Sequence, residues 1–199
     1  MNILIAGSTG NTGLRLTQQL FDAGHQPIAM HRSSSDTSKL PEGVVRREAD
    51  LTELPDDICA GADVVVFAAG SGGDTSDEMT DKIDRDGAKK LIDIAARNGV
   101  DHFVMLSSVG AGDPDPNSDL ANYLQAKHEA DEHLIASGLS YTVVRPVALT
   151  NEDGNRNMKL GDDVDTGGKA ARGDVAAILA RSATDSTLAG KVFLMESLG

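Results

Sequence analysis

Tryptophan is absent from these 199 residues, and aromatic side chains make up only 3% of them. A platform for stacking nucleic-acid bases needs exposed rings, so that class is excluded. Cysteine occurs once, at Cys59, which rules out an internal disulfide. Within "DDICAGADV" it reads as a small buried residue, with no sequence feature marking an activated thiol. Positive charge is scarce: 18 Lys and Arg stand against 31 Asp and Glu, for a net charge of −13. Non-specific phosphate binding needs clustered cations, so neither nucleic acid nor an anionic membrane is an expected partner. No apolar run is long enough for a membrane span. The first residues also lack a basic stretch followed by a long apolar one, so a signal peptide is not expected. The expectation is a cytoplasmic protein whose partner is a small-molecule substrate, with a homodimer left open.

What is present is alternation. "ILIA", "QPIAMHR", "VVRREAD", "ADVVVFAAG", "HFVMLSS", "SYTVVRPVAL" and "KVFLME" read as strands. "TGLRLTQQLFDAG", "GAKKLIDIAARNGV", "LANYLQAKHEADEHLIASG" and "GDVAAILARSAT" read as helices between them, the second with Leu91, Ile92, Ala95 and Ala96 inward and the last capped by Asp174. Strand–helix alternation with right-handed crossovers predicts an α/β fold: a Rossmann-type doubly wound parallel sheet, helices on both faces, and a small C-terminal substrate lobe. The chain reads as one domain over residues 1–199. Two polar, glycine-containing loops, 71–81 and 151–169, follow strand ends and are expected to form the substrate pocket.

The stretch "NILIAGSTGNTG" carries Gly7, Gly10 and Gly13 between the first strand and the first helix. In that context G-x-x-G-x-x-G is a dinucleotide signature: Gly7 permits the turn, Gly10 lets backbone approach a pyrophosphate, and Gly13 lets the helix pack on the strand. The loop amides and the helix dipole hold the anion, with Ser8, Thr9, Asn11 and Thr12 in reach. An NAD-specific site has a carboxylate at the end of the second strand. Here "AMHRSSS" places His31, Arg32 and Ser33 there instead. A planar guanidinium suits a 2′-phosphate, so NADP(H) is the preferred cofactor and NAD(H) the alternative; a merely solvated Arg32 is the competing reading. Asp50, followed by Leu51, either meets the adenine amino group or caps a helix. Ala68, Ala69 and Gly70, with Gly72 and Gly73, form the fourth-strand loop expected to run along the cofactor.

These blocks, together with "EADLT", "VVVFAAGSGG", "YLQAKHEADEHLIASGLSYTVVRP" and "RGDVAAILA", resemble the atypical short-chain dehydrogenase/reductases, in particular their small NAD(P)H-binding, NmrA-like branch. The resemblance spans nearly the whole chain. It implies a Rossmann fold with NADP(H) or NAD(H), and a range of activities: reductases, sugar epimerases, flavin or biliverdin reductase-like enzymes, and redox-sensing regulators. Tyr123 and Lys127 form Y-x-x-x-K, four apart and so on one helix face. In the wider superfamily such a Tyr exchanges the substrate proton, and the Lys lowers its pKa and bonds the nicotinamide ribose. Ser107 or Ser108 would bond the substrate oxygen, although Ser108 to Tyr123 is shorter than the usual interval. Pro146 is expected beside the nicotinamide, and Arg145, inside a strand, in a structural role. His102, His128 and His133 lack zinc-ligand spacing, and no metal is expected. The expected function is an NADP(H)-dependent oxidoreductase for a small carbonyl, quinone or flavin-like substrate. The alternatives are a non-catalytic NADP(H) sensor and a nucleotide-sugar epimerase or dehydratase, the last disfavoured by the short C-terminal part.

Overall fold

The computed structural model describes residues 1–72 and 75–199, so Gly73 of the expected cofactor loop lies outside the described residues. Its main sheet contains β1 (Asn2–Ala6), β2 (Gln26–His31), β3 (Val45–Glu48), β4 (Val64–Phe67), β5 (His102–Leu106), β6 (Ser140–Pro146), β8 (Met158–Leu160) and β10 (Lys191–Ser197), in the order β3-β2-β1-β4-β5-β6-β10-β8. All pairings are parallel except β8, which runs antiparallel along β10 at the edge. A second, parallel pair joins β7 (Ala148–Thr150) to β9 (Lys169–Ala171).

Helices cover both faces, which is why the strands read as continuous apolar runs. Leu4, Phe67, Phe103 and Met105 face the core under α3 (Ala88–Arg97) and α4 (Ala121–Ala136). Ile3, Ile5, Val66 and Val104 face the opposite core under α1 (Asn11–Asp22) and α5 (Arg172–Thr184). Along β1 the two sets alternate, as side chains on a strand must. Each fully buried large side chain contributes roughly 1.5–3 kcal/mol.

Several expectations need correcting. Residues 71–81 are not all loop: Ser76 caps α2 (Asp77–Thr80) by accepting from the Met79 amide. The helix then passes through a seven-residue π segment, Asp81–Gly87, directly into α3. Ile94 rather than Ala96 completes the inner face of α3. Residues 151–169 include β8 as well as irregular chain. Asp174 does not cap α5; Ala171 holds that position and makes no side-chain cap. Instead Asp174 is buried and accepts from the Arg156 amide (2.8 Å) and the Ser197 hydroxyl (2.7 Å), fastening residues 151–157 to the last strand. Arg15 of α1 holds the same segment from the other side, through Asp153 and the Asn151 carbonyl, both at 2.7 Å.

Candidate cofactor cleft and active site

The strand order reverses between β1 and β4, which sets a ligand crevice beyond their carboxyl ends. The three glycines there are glycines for different reasons. Gly7 has φ +87°, and a Cβ would come within 2.6 Å of the Ala69 amide nitrogen. A Cβ on Gly13 would stand 2.0 Å from the Gly7 carbonyl oxygen, so α1 packs on the turn with no room for a side chain. Gly10 differs. Its nearest neighbour would be the Gly7 oxygen at 3.4 Å, and its φ of −76° suits any residue. The protein itself therefore does not require glycine at this position. Gly10 is the N-cap of α1, where Ser, Asn or Asp would stabilise the helix, yet no side chain caps it. The first-turn amides of Asn11, Thr12 and Gly13 are left for an external acceptor at the positive end of the helix. An uncapped helix beside a glycine that no described residue crowds fits a diphosphate lying against main chain.

Around this cradle the expected residues divide. Asn11 is exposed, Thr9 half-buried and Thr12 nearly buried. Ser8 departs from expectation: its hydroxyl donates to the Met30 carbonyl (2.7 Å) and ties the loop to β2, so it is spent on the fold. Arg32 is exposed just past β2, and among the described residues its guanidinium makes no ion pair. His31 turns its Nδ1 to the Arg32 carbonyl, and Ser33 is exposed beside them. Asp50 Oδ1 accepts from the Thr52 amide (2.8 Å) and hydroxyl (2.7 Å) in a turn; no helix starts there for it to cap. Those bonds hold its carboxyl below the usual range, with a smaller pull from the Arg32 charge. Leu51 packs against Gly87. Ala68 and Ala69 are half-buried beside Gly7, and Gly70 is exposed.

At the other end, α4 aligns Tyr123, Lys127 and Asp131 at four-residue intervals along one face. Tyr123 is half-buried; Lys127 and Asp131 are buried. The Lys127 ammonium lies 2.9 Å from Asp84 Oδ1, 3.3 Å from the Leu106 carbonyl oxygen, and 5.7 Å from the ring centroids of Tyr123 and Phe67. Burial opposes its charge, but the Asp84 carboxylate prevails and raises its pKa. Asp84 sits in the π segment, and its second oxygen accepts from the Ser71 amide (2.9 Å). π insertions concentrate at functional sites because they re-aim a side chain. One residue thus links Lys127 to the chain leaving β4.

Ser107 also departs from expectation. It donates to Asp131 Oδ2 (2.7 Å), which Arg145 grips through Nε and Nη2, both at 3.0 Å. Burial pushes the Asp131 carboxyl up, against the pull of Ser107 and Arg145. Ser107 is thus buried and bonded into the fold, whereas Ser108 is half-buried. Pro146 is buried at the end of β6, its carbonyl accepting from the Val109 amide. Sequence reasoning missed Asp84 and Asp131. Asp131 had a signal, its spacing from Lys127; Asp84 had none. His128 is half-buried, with Nδ1 2.9 Å from the Ala111 carbonyl oxygen. Cys59 is buried, and burial pushes its thiol up to about 11.

Fold and crevice define a nucleotide-binding α/β protein. The model of a family described as NAD(P)H-binding matches residues 7–186, and the chain belongs to that family. It is 35% identical over 199 residues to "Uncharacterized sugar epimerase YhfK" of Bacillus subtilis, covering 97% of this chain and 92% of that one. Among solved structures it is similar to "Putative NAD-dependent epimerase/dehydratase from Bacillus halodurans", with 35% identity, a TM-score of 0.93, and 100% and 94% of the two chains covered. It is also similar to the oxidoreductase ylbE from Lactococcus lactis, with 30% identity, a TM-score of 0.87, and 100% and 91% covered. No helix among the described residues is long and apolar enough to cross a membrane.

Proposed function

We propose that the chain is an NADP(H)-dependent oxidoreductase of the atypical short-chain dehydrogenase/reductase type, acting on a small carbonyl, quinone or flavin-like compound. The observation that carries this reading is the uncapped, uncrowded turn at Gly10, with the Arg32 guanidinium past the end of β2. The first-turn amides of α1 take the diphosphate. Arg32, with Ser33 beside it, takes the 2′-phosphate as a planar fork. The bound nicotinamide supplies a hydride. Tyr123 gives a proton from its hydroxyl to the substrate oxygen, and the buried Lys127 cation stabilises the charge that develops on the phenol oxygen. Lys127 donates to the Leu106 carbonyl and is ion-paired with Asp84, and a further ammonium proton would reach the ribose. Ser108 orients the substrate oxygen. The chain acts as one domain, with residues from 71–81 and 151–169 bounding the pocket.

Calorimetric titration of NADP(H) and NAD(H) into wild type and Arg32→Ala tests the cofactor assignment. The expected result is a loss of NADP(H) affinity of tenfold or more, roughly one charge-assisted bond, with NAD(H) unchanged. Equal losses for both cofactors contradict it.

A second reading, a redox sensor without turnover, is favoured by one observation: Ser107 and Lys127 are already satisfied by buried carboxylates. It predicts strong discrimination between NADP⁺ and NADPH, and trace activity unchanged in Tyr123→Phe.

A further inference from the structure

Four ionic side chains meet along α4, and their charges sum to zero: Lys127 and Arg145 against Asp84 and Asp131. Asp131 follows Lys127 by one helical turn and Tyr123 by two, on the same face. Its Oδ2 takes Ser107 Oγ (2.7 Å) and both Arg145 Nε and Nη2 (3.0 Å each). Its Oδ1 is buried without a hydrogen-bond partner among the described residues. Holding Ser107 and Arg145 needs Oδ2 alone. A bare buried oxygen is costly, and it leaves negative charge to act on its surroundings. Against burial, Asp84 holds the Lys127 ammonium charged, and Asp131 adds to that hold. Other charges on the packed elements are matched or turned away. Asp81 pairs with Arg85, Lys82 with Glu78 and Lys89 with Glu129, Asp77 is exposed, and His128 turns to the Ala111 carbonyl.

We propose that Asp131 is a positioning residue that acts through Lys127: its carboxylate offsets the ammonium, so that Tyr123 works as a proton donor and the site runs as a reductase. The inference rests on the oxidoreductase reading and gives its site a direction. The Lys127 ammonium lies 5.7 Å from the centre of the Tyr123 ring, so what surrounds it bears on the hydroxyl. An ammonium alone beside a phenol favours the phenolate, the form that takes a proton from an alcohol. An ammonium matched by carboxylates favours the phenol, the form that gives a proton to a carbonyl. In that direction the substrate carbonyl carbon takes a hydride from the reduced nicotinamide, and its oxygen takes the Tyr123 proton. Alcohol and oxidised cofactor result, and solvent returns the proton to Tyr123. An epimerase must instead oxidise and then reduce at one site, which needs the phenolate first.

Tyrosine occurs twice, at Tyr123 and Tyr141, and tryptophan is absent, so in a Tyr141→Phe background the ultraviolet absorbance of tyrosinate reads Tyr123 alone. The full chain is titrated with alkali while circular dichroism follows the fold. Asp131→Asn is expected to develop that absorbance about one pH unit below its parent, a tenfold change in proton concentration. Asp131→Glu keeps the charge and should follow the parent, an outcome that a packing role would not give. If Asp131→Asn does not fold, adding Arg145→Gln leaves no charge unpaired, and the absorbance should still appear at lower pH than in the parent. Coincident curves for the parent and the Asn variant, or Asp131→Glu moving with Asp131→Asn, overturn the inference. With NADPH and phenanthrenequinone as the probe, the rate should fall on the alkaline side about one pH unit earlier in Asp131→Asn than in the parent. An unshifted rate profile also overturns it. If the quinone oxidises no NADPH at any pH while the absorbance curves separate, the oxidoreductase reading fails and the charge role of Asp131 stands.

Discussion

The two ends of the cleft are built on opposite plans. At the β1–α1 turn the polar groups are main-chain amides that no described residue satisfies. At the β5–α4 end the polar groups are side chains that pair with one another, Ser107 and Arg145 with Asp131 Oδ2 and Lys127 with Asp84, while Asp131 Oδ1 is buried without a hydrogen-bond partner among the described residues. The first end waits for an anion and costs little to leave open, because solvent serves the amides meanwhile. The second is dry, and there an unpaired charge would cost several kcal/mol. Its pairs hold the chemistry in position before any ligand arrives.

The largest effect expected from breaking this contrast is at the buried end. Lys127→Met leaves Asp84 charged and unpaired, and denaturant unfolding should show a loss of about 3–5 kcal/mol. Adding Asp84→Leu removes the second charge and should return much of that loss. Next, Gly13→Ala should cost about 3 kcal/mol, because its Cβ meets backbone and cannot turn away. Tyr123→Phe should lower turnover of quinones by about a hundredfold or more in steady-state assays, with cofactor affinity unchanged.

A smaller effect separates the 151–157 segment from the rest. The Asp174 carboxyl is held below its ordinary range: burial raises it, but the Ser197 and Arg156 bonds outweigh burial. Its stabilisation is therefore present at neutral pH and is lost as pH falls through its lowered folded pKa. Asp174→Asn should cost about 1–3 kcal/mol at pH 7, and the gap to wild type should close below about pH 4 in acid unfolding curves. The smallest effect concerns Cys59. With its thiol raised to about 11, a thiol-specific reagent at pH 8 should label the native protein far more slowly than the unfolded one.

The same contrast decides what could be read in advance. The anion cradle is local: a strand, three glycines and the first residues of a helix lie within thirteen residues, so their spacing carries the geometry. The apolar strands were legible because both sheet faces are covered. The buried end joins residues far apart in the chain, Asp84 to Lys127 and Asp131 to Arg145. Its helical support was hidden too. "DEMTDKIDRDG" has only Met79 and Ile83 as large apolar residues, so no 3.6-residue stripe marks α2 or the π segment. Ser8 and Ser107 looked like ligand hydroxyls because sequence cannot show which way a hydroxyl turns, and both turn into the fold.

The central claim is that Gly10 is glycine for a ligand and not for the fold. Gly10→Ala, studied by denaturant unfolding and by calorimetric titration with NADPH, tests it most directly. The account predicts stability within about 1 kcal/mol of wild type, as at an N-cap whose φ any residue accepts, with affinity reduced at least about tenfold. Unchanged affinity in a stably folded variant would contradict it.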